Sequence, residues 1–385
     1  MLSNQRDKFN LPDEVVYLNT AYMSPLLTSV SEAGKNAIAE KERPYEIVAD
    51  DFFDPLTQLK QDYAQLIDCE EPERIAIVPS VSYGIANCIN NIDLEVGDEI
   101  LVLDEQFPSN IYSWKRLAND AGATLKVVKK PTVEEHIGKA WNADILNAIT
   151  DRTKVVAMCH THWADGTLFD LKAIREKTKK HNALLIIDGT QSVGALPFSV
   201  NEFQPDALIC AGYKWLLGPY AVGLAYYGPY FDDGVPIEEG WSNRLNSEYF
   251  AGLTAYENEY KPLANRYNVG EQANFIAVPM LTKSINQLLE WTPEGIQAYC
   301  QNITEEPLKR LSDIGCTIEN AEYRGHHLFG IKLGKPINLD DLKEALAEQN
   351  IYVSIRGDYV RVSVHLFNRK SDIERLVDVL LKMHQ

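Results

Sequence analysis

The chain has 385 residues, of which 45% are hydrophobic and 24% charged, and its formal net charge is −18. This is enough apolar material for a large core, or for a large and a small domain sharing one, and the charge content excludes wholesale disorder. The acidic balance argues against nucleic acid or anionic lipid as partners, although a local cationic pocket can still admit an anionic small molecule.

The opening segment MLSNQRDKFNLPDE has no apolar stretch of signal-peptide length, and no run approaches the ~20 apolar residues of a membrane span. The six cysteines, Cys69, Cys88, Cys159, Cys210, Cys300 and Cys316, form no CxxC pair, and most lie in apolar runs. They read as buried thiols in a reducing compartment, so we expect a soluble cytoplasmic protein.

From about residue 74 onward, β-rich apolar runs alternate with amphipathic helical stretches. RIAIVPS precedes a helix from Ser82, and EILVLD precedes one from Asn110. TLKVV leads to NADILNAIT, TKVVAMCH leads to DLKAIREKTKKH, and ALLIID and ALICA follow. This pattern predicts an α/β fold with a mostly parallel sheet covered on both faces. The alternation stops near Gly218, where YAVGLAYYG reads as a strand without a preceding helix, followed by an aromatic, polar stretch. Beyond Phe275 the pattern gives two long helices broken at Pro293, then HHLFGIKL, LDDLKEALAEQN, IYVSI, YVRVSVH and SDIERLVDVLLKM as short β/α units. We expect a large domain over 25–272 and a smaller α+β domain from 1–24 and 273–385.

Ligands of parallel α/β sheets bind at the carboxyl ends of the strands. Five such ends carry polar or aromatic clusters: PSVSYG, DEQFPSN, HTHWADGT, Asp188 with Gln191, and AGYK with Lys214. A lysine on a short loop can condense with an aldehyde and then carry protons, and an aspartate can keep a pyridine nitrogen protonated. An amide can hydrogen-bond a phenolate, a serine and free N–H groups at a helix start can hold a phosphate, and an aromatic ring can stack on a heterocycle. Taken singly, each has a plainer reading. Asp188 before Gly-Thr suits a turn cap, Lys214 suits a solvated surface charge, and Phe107 before Pro108 suits core packing.

Their order and spacing resemble the class V aminotransferases, fold-type I enzymes of pyridoxal 5'-phosphate (PLP), and within them the isopenicillin-epimerase-like and kynureninase-like branch. The resemblance runs from YLNTAYMSP to VRVSVHLFNRKSDIERLV and is most specific in LLIIDGTQSVGALPFSVNEFQPDALICAGYKWLLGP, where Lys214 follows Asp188 by 26 residues. It implies a Schiff base between PLP and Lys214, Asp188 at the pyridinium and Gln191 at the phenolate. It further implies Ser82 Oγ and the Val81 N–H at the phosphate, with Tyr213 as a further phosphate ligand. Phe107 would stack on the ring, Trp241 would lie near the phosphate, and Arg361 would hold the substrate carboxylate in a two-pronged pair. On residues alone, Arg361 also suits an edge-strand surface charge. Trp163 or Asp165 of HTHWADGT falls where the family often carries an asparagine near the ring. Many relatives place a Gly-Thr contact across a dimer where this chain has Gly270 and the acidic Glu271.

The implied activity is that of a PLP enzyme acting on an amino acid or keto acid through an external aldimine, in the first place an aminotransferase. A lyase or epimerase is the alternative, and a non-catalytic PLP-binding protein a further one. NIYVSIRGDYVRVS lacks the nucleophilic cysteine of a desulfurase. His160 and His162 have no carboxylate or cysteine spacing for a metal site, and no GxGxxG or GxxxxGK[ST] follows a strand. The resemblance also implies a homodimer, in keeping with the aromatic stretch from Trp241 to Tyr267, which is hard to leave solvated.

Overall fold

The computed structural model of the protein describes residues 2–133, 136–335 and 337–384. The N-terminal segment forms a short strand, β1 (Val16–Tyr17), then two helices, α1 (Thr28–Lys41) and α2 (Asp54–Leu66). Strand–helix alternation follows with β2 (Ile75–Val78), α3 (Val81–Ile89), β3 (Glu99–Leu103), α4 (Ser109–Ala121), β4 (Thr124–Val128), α5 (Ile137–Ala148), β5 (Thr153–Cys159), α6 (Leu171–Lys180) and β6 (Leu184–Asp188). A one-turn helix α7 (Val200–Phe203) leads into β7 (Ala207–Ala211) and β8 (Gly223–Tyr227).

These strands form a seven-stranded sheet in the order β2-β8-β7-β6-β5-β3-β4, in which β8 runs antiparallel to both neighbours. Only the loop 212–222 joins β7 to β8, too short for the helical crossover a parallel return needs, so β8 reverses. Side chains alternate between two core layers. Ile77, Leu101, Leu103, Val156, Met158, Leu185, Ile187, Leu208 and Cys210 face one. Ala76, Val78, Ile100, Val102, Val155, Ala157, Ile186, Ala207 and Ile209 face the other. That period of two, with both faces covered, is why the strands read as continuous apolar runs.

Past β8, residues 228–276 hold short 3-10 turns and one isolated antiparallel bridge, Arg244 to Tyr260. Then come α8 (Ala277–Trp291), α9 (Pro293–Lys309), β9 (Thr317–Ile318), β10 (Leu328–Lys332), α10 (Leu339–Glu348), β11 (Ile351–Tyr352), β12 (Ser354–Arg356), β13 (Tyr359–Ser363) and α11 (Lys370–Met383). Thr292, with φ 59°, separates α8 from α9 and caps the latter by accepting the Gly295 N–H at 3.1 Å. Strands β12-β13-β10-β9 form an antiparallel sheet, and β11 pairs with β1. The run IYVSI, expected as one strand, is therefore divided at Val353 between two sheets. Helices α1 and α2 were not anticipated; both pack on α8. The buried face of α1 is Val30, Gly34 and Ala37, too small and sparse to stand out as an apolar stripe. We propose the domain division at 24/25 and 272/273, with β1 assigned to the smaller unit through its pairing with β11. No helix among the described residues is long and apolar enough to cross a membrane.

The two sheets meet at the loop after β5. Gly330 N on β10 donates to Asp165 O at 2.7 Å. Next to it Gly166 has φ 80°, and a Cβ there would lie 2.3 Å from Leu328 O. Gly166→Ala is expected to destabilise the protein by about 2–4 kcal/mol, since both backbone strain and a main-chain clash oppose it. Gly97→Ala, at φ 99° with nothing within 4 Å of the added carbon, should lose about 1 kcal/mol. Denaturant unfolding of the two variants checks this; equal losses would contradict the close approach of the sheets.

Candidate active site

At the carboxyl end of the seven-stranded sheet, the loops after β2, β3, β5, β6 and β7 surround a cavity of about 240 Å³. Its walls include Val81, Ser82, Phe107, Trp163, Asp188, Gln191, Tyr213 and Lys214. Seven of the nine residues expected at the site thus line one cavity; Arg361 and Trp241 do not.

Lys214 lies in the loop between β7 and β8, pinned by Trp215, Leu216 and Leu217, each at most 1% exposed. Leu217 takes φ 55°, a strained conformation for a branched side chain. Lys214 itself is 8% exposed, which removes the surface-charge reading. Its Nζ stands 5.7 Å from the Phe107 ring centroid and 5.6 Å from that of Tyr213. Burial pushes the amine down to about 8; Asp188 opposes this, while the cations of Arg361 and Arg356 add to it.

Asp188 is the last residue of β6. Its Oδ1 accepts the Thr190 N–H at 2.9 Å, so the turn-cap reading holds for one oxygen. Its Oδ2 accepts from Nδ2 of the buried Asn110, a residue not singled out although it stands three positions after Phe107 in the motif. Gln191 Oε1 accepts from Trp215 Nε1 at 2.9 Å, and Nε2 donates to Ala21 O at 3.1 Å. The indole thereby fixes which end of the amide is the donor, and one amide N–H remains uncommitted. Below it, His327 Nε2 donates to Gln191 O at 2.8 Å while Nδ1 accepts from Gln297 Nε2 at 3.0 Å. Burial first, then neighbouring His326, lowers His327 to about 4, despite that bond to Gln191, so the ring is neutral at pH 7.

Helix α3 starts one residue earlier than expected, at Val81, and the cap is Ser80, whose Oγ accepts the Tyr83 N–H at 3.2 Å. Ser82 is left free of capping, and the start of α3, with its unpaired first N–H groups, lines the cavity. Phe107 packs edge-on against Trp163, with centroids 5.5 Å apart at 82°. The choice between Trp163 and Asp165 resolves by position. Trp163 lines the cavity, whereas Asp165 is buried and bonded to His162, Thr167 N and Lys130.

Arg361, on β13, is 2% exposed and thus no surface charge. It is held against the cavity wall: Nη1 donates to Trp163 O at 2.7 Å and Nη2 to Ser354 Oγ at 3.3 Å, leaving Nε without a partner among the described residues. Burial, with the nearby Arg356 cation, pushes it down to about 9 against the influence of Tyr17. A buried guanidinium with no carboxylate partner among the described residues can accept an anion. Trp241 stands apart, lining a separate cavity of about 550 Å³ with Phe52, Phe53 and Glu271. Within this chain it does not line the Lys214 cavity. None of the six free cysteines lines the Lys214 cavity.

The class V aminotransferase family model matches residues 19–376, and the chain belongs to that family. The protein is 23% identical over 366 residues to the uncharacterized aminotransferase YcbU of Bacillus subtilis, covering 91% of this chain and 93% of that one. It is 27% identical over 321 residues to a probable cysteine desulfurase of Halalkalibacterium halodurans, covering 79% and 73%. Among solved structures, a C-DES mutant with glycine covalently linked to PLP superposes with TM-score 0.87 at 20% identity, covering 99% of this chain and all of that one. The fold is that of the PLP-dependent class V enzymes, and PLP is the cofactor. The residues fit it: a buried amine unpaired among the described residues, a carboxylate, a helix start and an aromatic wall share one cavity.

At pH 8 about half of an amine with this pKa is neutral and nucleophilic, against well under ~1% of an ordinary lysine. The rate at which apoprotein takes up PLP, followed by absorbance, should therefore rise with pH and level off just above 8. A profile still climbing toward pH 10 would contradict the burial of this amine.

Proposed function

We propose that the protein is an aminotransferase acting on an amino acid or keto acid. The observation that carries this reading is the convergence of Lys214, Asp188 and the α3 start on one cavity, with the buried Arg361 against its wall. PLP supplies an aldehyde that captures amines and a ring that accepts the electron pair released at Cα. Lys214 Nζ would hold the cofactor and, when freed from it, would move the proton at Cα. Asp188, oriented by Asn110 and Thr190, keeps the ring nitrogen protonated. The Val81 N–H and Ser82 would hold the phosphate with Tyr213, the free N–H of Gln191 would meet the phenolate, and Phe107 would stack on the ring. Arg361 binds the substrate carboxylate and so orients the Cα–H bond.

A desulfurase reaction is disfavoured because the cysteines near the site, Cys159 and Cys210, are buried thiols whose pKa burial raises, and neither lines the cavity. A β-lyase or epimerase would use the same residues, and the assay distinguishes it. With an amino-acid panel, keto acid should accumulate beyond one equivalent per active site only when a keto-acid acceptor is supplied. Continued keto-acid formation without acceptor, or inversion at Cα with no keto acid formed, would contradict transamination. Lys214→Ala should lower kcat by about 10³-fold or more. Arg361→Gln should raise KM by ~10–100-fold, since the buried carboxylate pair is lost.

We also propose a homodimer in the cytoplasm. Trp241, Tyr249, Phe250, Leu253 and Tyr256 are all exposed on this chain, and Trp241 would serve the site of the second subunit. Light scattering should give twice the 43.4 kDa chain mass; a monomer that retains PLP and activity would contradict this.

A further inference from the structure

The hairpin that presents Arg361 presents a second arginine. Ser354 pairs with Arg361 and Arg356 with Tyr359 across β12 and β13. Directly paired residues share a face of a ladder, and so do residues two apart on one strand. Ser354, Arg356, Tyr359 and Arg361 therefore project from one face, with the two arginines in diagonal positions. That face looks toward Trp163 of the cavity wall. The Arg356 guanidinium lies 5.5 Å from the Trp163 ring, and Arg361 bonds to the same residue's carbonyl.

Arg356 has no ion-pair partner among the described residues, and its only side-chain hydrogen bond is to Ile355 O at 2.9 Å. Its Nε is buried and unpartnered. Asp358, in the turn of the same hairpin, is exposed, and the acids on the cavity side are engaged elsewhere. Asp165 holds His162 and Lys130, and Glu105 lies 3.9 Å from Lys130. Lys130 in turn sits 4.4 Å over the Tyr359 ring. Two uncompensated guanidinium groups on one face, both near the Lys214 amine, repel one another in a protein that carries 55 acidic residues. One α-carboxylate neutralises only one of them.

Resting on the amino-acid reading above, we infer that Arg356 binds a second anionic group on the substrate, so that the preferred substrate is an amino acid with a side-chain carboxylate. Arg361 takes the α-carboxylate and Arg356 the distal one, with Trp163 between them setting their separation. The pair does for substrate choice what Lys214 and Asp188 do for chemistry: it selects charge at both ends of the molecule.

The test uses the PLP-loaded protein. Absorbance titrations should give half-saturation by aspartate or glutamate at concentrations at least ~10-fold below those of asparagine or glutamine. Glutarate should compete with PLP-site ligands, and stabilise the protein against heat, at least ~10-fold better than butyrate. Arg356→Gln should collapse the acid-to-amide ratio by ~10-fold or more, and Arg356→Lys should restore part of it. Amides that bind as well as the acids, or an Arg356→Gln variant that weakens both equally, would overturn the proposal. Should no amino acid perturb the spectrum, the enzymatic reading itself fails, while the glutarate and butyrate comparison still decides the role of Arg356. If Arg356→Gln does not fold, the wild-type preferences decide it alone.

Discussion

Lys214 carries a buried amine that takes part in no hydrogen bond or ion pair among the described residues, and its environment lowers the pKa of that amine to about 8. Leaving a lysine in this state is unfavourable, and a sheet packed for stability alone would have filled the position with an apolar side chain. The surroundings are arranged to keep it there. Trp215, Leu216 and Leu217 bury the chain on its C-terminal side, and β7 and β8 hold the loop at both ends. Asp188 alone favours the charged form, while Arg361 and Arg356 oppose it. The result is an amine near the point of neutrality, which is what condensation with an aldehyde requires. The net charge of −18 says nothing of this: the site is a small cationic pocket inside an acidic protein.

The second constraint is mechanical. Trp163 touches Phe107, Arg361 and Arg356, so it joins the cavity wall at Phe107 to the β12–β13 hairpin that carries both arginines. Its loop is locked by Asp165, which binds His162 and Lys130 and is held below the usual carboxylate range by both. On the other side Gly166 lets the loop approach Leu328 of the second sheet. The site therefore spans both sheets, and the distance between the Lys214 chemistry and the arginines depends on one tight loop. A loop held on both sides is the kind of support that precise placement of a substrate over Lys214 requires.

Much of this was legible in the residues. The seven-stranded sheet follows from apolar runs buried on both faces, and the carboxyl-end rule then pointed to Asp188, Gln191 and Lys214 without any contact being visible. Other positions were not legible, for physical reasons. PSVSYG holds two serines, and only the backbone shows that Ser80 caps the helix and Ser82 is free. HTHWADGT carries an aromatic and an acid, and which of them faces the cavity depends on the turn at Gly166. Arg361 stood out by resemblance, whereas Arg356, five residues earlier, looked like any charge at a hairpin end. Its meaning comes from strand register, a long-range property. The small buried residues of α1 hid that helix for a similar reason: they are defined by α8, which lies more than 200 residues away.

All of these inferences meet in the claim that one particular amine holds the cofactor. Borohydride reduction of the PLP-loaded protein, followed by peptide mapping, tests it most directly. The account predicts the reduced cofactor on Lys214 alone. Label on Lys60, a second buried lysine whose pKa burial lowers to about 7, or no stable label at all, would contradict it.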